Sequence, residues 1–225
     1  MKLFNMDEEV PDIFYIFVGN GDSFSSQINY HNYKLGAPLM SGGFKNLIAM
    51  PEKINDFING NILYAPFVPN EMTFPSPTSH LLNTVNGYNV EYILEYIRDS
   101  KFKNFPSRFS CLYAFGDYES CEKASKYYGW DLSKVKKFKL KSIGNQLDMC
   151  VKVVKCNMEI VTRMWNCGIT SFEGNSIDKI ASAYWCGISN VATESQDLET
   201  GEKVITPARI LYEYLIEGVL EEIKE

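Results

Sequence analysis

Apolar residues in the second half of the chain recur with periods that predict regular secondary structure. Between residues 90 and 97 they fall at i, i+3, i+4 and i+7, the spacing of an amphipathic helix whose charged side chains are directed outward. Residues 109–115 are aromatic and apolar, as in a core strand. Asp117 then offers an N-cap for a helix that ends at Gly129. The pattern therefore predicts a helix, a strand, a turn and a second helix.

Further elements are predicted downstream. Residues 135–140 alternate as in a half-exposed strand, and we expect residues 149–154 to pair with it through a turn at 144–145. Two more amphipathic helices are predicted at about 157–167 and 176–186. The strands and helices are mixed without strict alternation, which indicates an α+β fold.

The first half of the chain is less regular. An apolar run at 13–18 predicts the first core strand, and the Gly-Asn-Gly-Asp sequence at 19–22 follows it. We interpret 19–22 as an ordinary turn, with a phosphate-binding loop as the alternative. Residues 36–88 are rich in Pro, Gly, Asn and Ser, which predicts a long loop-rich insertion carrying a short helix near 51–58 and a strand near 62–64.

Size and charge narrow the classes of function. A chain of 225 residues with 45% hydrophobic content can bury one core, so we expect a single domain over residues 1–225. The net charge of -6 and the pI near 5.1 argue against broad coating of nucleic acid. Five lysines crowd residues 134–141; a solvated strand face is the favoured interpretation and a local basic groove is the alternative. No apolar run approaches the roughly 18 residues that cross a bilayer, so we expect no membrane association and a cytoplasmic location.

Motifs for metal and nucleotide chemistry are not found in the sequence. The six cysteines form no C-x-x-C pair and the two histidines lie far from them, so no metal site is expected and the cysteines are assigned to the core. Neither a Walker loop, a G-x-G-x-x-G fingerprint, an H-E-x-x-H helix nor a G-x-S-x-G elbow occurs.

Three segments carry a resemblance to known proteins. They are E-Y-I-L-E-Y-I-R at 91–98, F-P-S-R-F-S-C-L-Y-A at 105–114 and Y-E-S-C-E-K-A at 118–124. Together they resemble an uncharacterised family of bacterial and phage domains with the core P-S-R-L-S-C-L-Y, and weaker matches extend the resemblance over roughly 90–223. That family looks like a divergent branch of the ADP-ribosyltransferase fold. The resemblance implies mixed sheets flanked by helices, NAD as substrate and, for a phage-encoded protein, the host cytoplasm.

The resemblance also implies site residues. ADP-ribosyltransferases carry a His, Arg or Tyr on the first core strand, a Ser or Tyr on the second, and a late catalytic Glu. Here Tyr15 stands where the related family more often has His, and Glu213 is the implied catalytic residue. The middle segment supplies the other residues implied in NAD binding, which are Ser107, Arg108, Ser110 and Tyr113.

Each implied residue has a chemical role. Glu213 would stabilise the positive charge that builds on the ribose as the nicotinamide bond breaks. Arg108 would bind the pyrophosphate with a bidentate fork, and Ser107 or Ser110 would hold the ribose or orient Glu213. Tyr15 or Tyr113 would stack on a ring. The alternatives are a surface ion pair for Arg108 with Glu91 or Glu95, and an ordinary core position for Tyr113.

The segment 207–223 fits two structures. Thr206 and Pro207 resemble a helix start and the apolar spacing that follows is helical, so the residues alone favour a helix with a solvated Glu213. The family resemblance implies a strand instead, with Leu211, Glu213 and Leu215 on one face.

Three functions follow from these alternatives. The first is an NAD-dependent enzyme that transfers ADP-ribose to an unknown macromolecular or small-molecule acceptor. The second is a catalytically inactive nucleotide- or protein-binding module of the same fold, such as a phage protein that acts on a host factor. The third is an interaction protein that presents residues 36–88 to a partner.

Overall fold

The computed structural model of the chain describes residues 1–21, 23–34, 36, 38–41, 90–91, 93–141, 151–167, 177–189, 192–196, 200–207 and 209–224. The insertion expected at 36–88 lies almost wholly outside these residues, as do its helix and strand and the turn at 144–145. The described residues have an α+β fold, as the sequence predicts.

The strands, in chain order, are β1 (Phe14–Phe17), β2 (Leu39–Met40), β3 (Leu112–Ala114), β4 (Val135–Leu140), β5 (Lys152–Asn157), β6 (Ala192–Gln196), β7 (Lys203–Pro207), β8 (Tyr212–Glu217) and β9 (Val219–Glu222). The α-helices are α1 (Phe24–Lys34), α2 (residues 90–91 and 93–101), α3 (Tyr118–Tyr128), α4 (Met158–Cys167) and α5 (Ile177–Trp185). A short 3₁₀ helix, Leu132–Lys134, precedes β4.

Two curled antiparallel sheets form the centre of the described fold. One has the strand order β1-β4-β9-β2 and the other β3-β8-β5, while β6 and β7 form a separate hairpin. Tyr15 and Phe115 exchange two backbone hydrogen bonds of 2.8 Å, which join β1 to the end of β3. Strands β8, β3 and β1 therefore lie side by side, and β8 runs directly into β9 of the other sheet through Gly218.

The predicted helices are confirmed where the structure describes them. Asp117 caps α3 by accepting a 2.6 Å hydrogen bond from the Ser120 N–H, and Gly129 ends that helix in the left-handed conformation at φ 71°. The apolar face of α2 is buried, as are the inner faces of α4 and α5. These three helices enclose the largest core cluster against β3, β8 and β5.

Helix α1 is the one described helix longer than a single turn that the sequence analysis did not predict, and strands β2, β6 and β7 were not predicted either. The sequence of α1, FSSQINYHNYK, is mostly polar and has no regular apolar stripe, so periodicity gives little signal for it. Tertiary contacts stabilise it instead: the Asn29 side chain donates to the Tyr113 carbonyl oxygen at 2.7 Å and accepts from the Tyr113 N–H at 2.9 Å. This pair of bonds fixes α1 against β3.

The expected pairing of residues 149–154 with 135–140 is wrong. Strand β5 pairs with β8, whereas β4 lies between β1 and β9. Lysines in and just after β4 form ion pairs with β9: Lys136 lies 2.5 Å from a Glu222 carboxylate oxygen and Lys141 lies 3.4 Å from one of Glu221. Glu221 and Glu222 are consecutive residues of β9, so these two ion pairs lie on opposite faces of the sheet.

The helix favoured for residues 207–223 is also wrong, because this segment forms β8 and β9. Four consecutive residues of β8, from Glu213 to Ile216, are buried, so both faces of the strand are covered. A central strand needs such a continuous buried run, and the apolar residues of this run also fall at positions that fit helical spacing. Glu213 is consequently a buried strand residue rather than a solvated helix carboxylate.

The cysteines follow the expectation in part. Cys111, Cys121 and Cys156 are buried free thiols, but Cys186 is exposed just after α5. Among the described helices, none combines the length and the apolar character that crossing a membrane requires.

Candidate functional site

Arg108 is held in a tight turn immediately before β3. The Cys111 N–H donates to the Ser107 carbonyl oxygen at 2.8 Å, and the Ser107 hydroxyl accepts from the Phe109 N–H at 3.3 Å. The Tyr113 hydroxyl donates to the Arg108 carbonyl oxygen at 2.7 Å. This turn directs the Arg108 side chain into the protein, where the residue is only 2% exposed.

The guanidinium of Arg108 joins three other side chains. Its Nε and Nη2 donate to the two oxygens of Glu91 at 2.5 and 2.8 Å, a bidentate pair. Its Nη1 donates to Glu213 Oε1 at 3.0 Å and also contacts the Tyr184 hydroxyl. These bonds occupy four of the roughly five N–H groups of a guanidinium. We call the four side chains that take part the arginine cluster: Glu91, Arg108, Tyr184 and Glu213.

Glu213 extends from the central strand β8 into this cluster. Its Oε1 accepts from Arg108 and, at 2.7 Å, from the Tyr184 hydroxyl. Among the residues that the structure describes, no donor reaches its second oxygen, Oε2. The rings of Tyr113 and Tyr184 lie 5.1 and 5.0 Å from the Arg108 guanidinium carbon, so cation–π contacts add to the hydrogen bonds.

Burial controls the electrostatics of the arginine cluster. It raises the pKa of Glu91, and the charge of Arg108 offsets this only in part. For Arg108 burial opposes the charge, yet Glu91 and its other neighbours raise its pKa well above the ordinary value. Burial also raises the pKa of Tyr184 well above its usual range, so its hydroxyl keeps its proton at neutral pH and acts as a donor. Two carboxylates and one guanidinium give the ionised cluster a net charge of -1.

A cavity of about 170 Å³ opens beside the arginine cluster. Three of its lining residues belong to the cluster, and the others are hydroxyl-bearing, aromatic or apolar: Ser23, Ser25, Tyr128, Trp130, Met158, Val161 and Thr162. An apolar cavity of about 150 Å³ holds one benzene molecule, so this space accommodates one six-membered ring with a small substituent. A larger ligand would have to extend beyond it.

The aromatic wall of the cavity is itself supported. Tyr128 donates to a carboxylate oxygen of Glu159 and lies 3.3 Å from the Thr162 hydroxyl. The Trp130 ring packs edge-on against Phe17 with centroids 5.0 Å apart. Both rings are thus held in place, and they line the same cavity as Glu91 and Glu213.

The structure brings together some of the residues implied by the family resemblance. Arg108, Glu213 and Tyr113 are adjacent, and the first two line the cavity. Tyr15 lies apart from it, in edge-to-face contact with Tyr118 at 5.8 Å. Ser107 and Ser110 are not among the lining residues, and Ser107 instead stabilises the turn that contains Arg108.

The structure tests one of the two roles suggested for Arg108, and its implied role on a pyrophosphate stays a prediction. The alternative of a surface ion pair is wrong, because the pair with Glu91 is buried on both sides. The Glu95 carboxylate pairs with Arg98 at 2.9 Å and accepts a hydrogen bond from the backbone N–H of Arg108 at 3.3 Å. Since Glu91 already occupies the bidentate fork, the guanidinium keeps at most one N–H for a phosphate.

Sequence reasoning missed Glu91, Tyr184, Tyr128 and Trp130. Glu91 was expected to face outward, but it is 1% exposed. A signal existed, since Glu91 lies three residues before Leu94 and so shares the buried face of α2. For Tyr184 the helical spacing of α5 indicated burial, but nothing in that spacing indicated its partner. Among the described residues, no group of three or more His, Cys, Asp or Glu side chains is placed to hold a metal ion.

Comparison with known families gives one match. Residues 21–200 match a family described as protein of unknown function (DUF2441). The matched range contains Glu91, Arg108 and Tyr184 and ends before Glu213. A comparison with curated proteins finds no match. The expectation of an uncharacterised domain family is thereby confirmed. Because the match covers most of the chain, the chain belongs to the DUF2441 family.

Proposed function

We propose that this protein is an ADP-ribosyltransferase-like enzyme that cleaves the nicotinamide–ribose bond of NAD and transfers ADP-ribose to an acceptor. The observation that supports this most strongly is the environment of Glu213. Its carboxylate is buried on the central strand, lines a ring-sized cavity and has one oxygen without a described partner.

The chemistry requires a carboxylate in such a place. As the nicotinamide leaves, positive charge builds on the ribose carbon, and a nearby fixed anion stabilises that transition state. Charge interactions are stronger where water is excluded. The arginine cluster contains two carboxylates and one guanidinium, so it has a net charge of -1 when all three groups are ionised.

The cavity suits the nicotinamide end of NAD. Its volume of about 170 Å³ accommodates the ring and its carboxamide, while the rest of the dinucleotide would extend outward. Tyr128 and Trp130 offer aromatic faces to a pyridinium cation. The stacking role first considered for Tyr15 therefore passes to these two residues in our proposal.

The strand order gives further support. The family resemblance names a first core strand, a second strand and a late strand with the catalytic Glu, and the corresponding β1, β3 and β8 are neighbours. In this proposal Arg108 holds Glu213 rather than the pyrophosphate, because its fork is bound to Glu91.

The second candidate is a non-catalytic nucleotide- or protein-binding module of the same fold. Two observations favour it: the guanidinium of Arg108 is almost fully occupied within the protein, and Tyr15 lies outside the cavity. Such a module would bind a ring-containing ligand without breaking it.

Ligand-observed NMR with NAD separates the two candidates. The nicotinamide proton signals report both binding and the appearance of free nicotinamide. We expect release with the wild-type protein and its loss in Glu213→Gln, while Glu217→Gln serves as the matched control. Glu217 lies on the same strand but pairs with Lys152 at 3.2 Å, away from the cavity. Binding without release by the folded wild-type protein would favour the module, and neither binding nor release would refute NAD as the ligand.

A further inference from the structure

We propose that Tyr184 is a positioning residue that fixes the orientation of the Glu213 carboxylate and so directs Oε2 toward the ligand. The proposal rests on the function proposed above and adds a residue that neither the sequence motifs nor the family match assigns. Tyr184 comes from α5, and its ring is fully buried.

The hydrogen bonds around Tyr184 permit one direction of donation. Arg108 Nη1 has only donors, so the Tyr184 oxygen must accept in that contact. The single proton of the hydroxyl is then available for Glu213 Oε1, 2.7 Å away. Arg108 donates to the same Oε1 at 3.0 Å, so the three groups form a closed set of hydrogen bonds.

This arrangement removes a freedom that a glutamate otherwise has. The terminal torsion of a Glu side chain is broad, so an unrestrained carboxylate takes a wide range of orientations about that bond. Two donors on Oε1 make the oxygens inequivalent and leave Oε2 as the one free of described donors. A preorganised carboxylate needs no reorientation when charge develops on the substrate.

The position of Tyr184 is supported independently of its hydroxyl. Its ring packs edge-to-face on Trp185 with centroids 5.1 Å apart, and the Trp185 indole donates to the Leu94 carbonyl oxygen at 2.9 Å. Tyr184→Phe keeps the ring and its packing, so it removes the hydroxyl bonds alone. Tyr214→Phe is the matched control, because Tyr214 is a buried tyrosine next to Glu213 whose ring packs in the other core cluster, against Phe14.

Two measurements test the proposal. The first is the steady-state rate of nicotinamide release from NAD. Loss of a hydrogen bond to a charged group should lower kcat roughly ten- to hundredfold in Tyr184→Phe with little change in KM, and Tyr214→Phe should match wild type. The second is the ¹³C carboxyl signal of Glu213 in protein labelled at the glutamate δ-carbon, assigned by its loss in Glu213→Gln. The Glu213 carboxyl signal should shift in Tyr184→Phe, which removes the hydrogen bond to Oε1, and should not shift in Tyr214→Phe.

The outcomes separate this proposal from the proposed function. An active wild type whose Tyr184→Phe variant keeps its kcat, or changes only KM, overturns the positioning role and leaves the enzyme standing. A wild type without NAD cleavage overturns the proposed function, while a shifted Glu213 signal would still support the orientation of the carboxylate by Tyr184. An unshifted signal in Tyr184→Phe refutes the hydrogen bond itself.

Discussion

Replacing Arg108 with Met tests whether the arginine cluster depends on its only cation. Met keeps an unbranched side chain, but it removes the cation from Glu91 and Glu213, which are both buried. Glu213 then keeps only the hydrogen bond from the Tyr184 hydroxyl among its described partners. Removing one partner of a buried ion pair typically costs about 3–5 kcal/mol because the remaining charge stays desolvated. The free energy of unfolding of a whole domain is about 5–15 kcal/mol, so this cost is a large fraction of it. Urea denaturation monitored by circular dichroism should show the loss of stability.

The loss should grow with pH. Burial raises the pKa of Glu91 above its ordinary value of 4.5, so this carboxyl binds its proton more tightly in the folded state than in the unfolded state. The tighter proton binding stabilises the folded state at pH values below the ordinary pKa, and this stabilisation is lost as the pH rises through the higher pKa of the folded state. Without Arg108 the charged form is less favourable still, so Arg108→Met should lose more stability at pH 8 than at pH 5.

A double-variant cycle isolates the interaction. Glu91→Gln removes the anion that Arg108→Met leaves unpaired, so the double variant should be less destabilised than the sum of the single variants, by about 0.5–3 kcal/mol. Additive effects, or a cost below about 1 kcal/mol for Arg108→Met at pH 8, would refute the buried cluster.

Two further predictions concern the rest of the fold. Gly187 and Gly129 both have positive φ, of 65° and 71°, so alanine at either should cost about 1–2 kcal/mol in backbone strain. Of these two positions, only Gly187 would place the new Cβ 2.7 Å from a backbone oxygen. In thermal unfolding Gly187→Ala should therefore be less stable than Gly129→Ala, and the reverse order would contradict this packing. Alkylation of the native protein at pH 8, followed by peptide mapping, should show modification of the exposed Cys186. Burial raises the pKa of Cys121 to about 12, so this thiol should react only after denaturation. Equal labelling of the two cysteines would contradict the described core.

Local signals in the sequence predicted local structure well. The cap at Asp117, the stop at Gly129 and the apolar spacing of α2, α4 and α5 specify helices through contacts within a few residues. The sequence could not predict the pairing of β5 with β8 in the same way, because that pairing depends on long-range contacts between segments that look equally suitable as partners.

In the candidate site, too, contacts between distant segments could not be predicted from local patterns in the sequence. Glu213 was singled out through family resemblance, although its local spacing favoured a helix. Glu91 and Tyr184 come from helices that lie far from Glu213 in sequence, and only the packing of α2 and α5 on the sheet brings them to Arg108. A charged residue on the buried side of an amphipathic helix, as Glu91 is, was the available signal, since such a residue needs a buried partner.

The central claim is that the Glu213 carboxylate acts on NAD, and the rate of nicotinamide release by Glu213→Gln relative to wild type tests it most directly. Both proteins should be compared at equal folded concentration, with Glu217→Gln in parallel. The account predicts a loss of roughly hundredfold or more in Glu213→Gln, the scale of removing one preorganised electrostatic group, and an unchanged rate in Glu217→Gln. Equal release by wild type and Glu213→Gln, or no release by the wild-type protein, would contradict it.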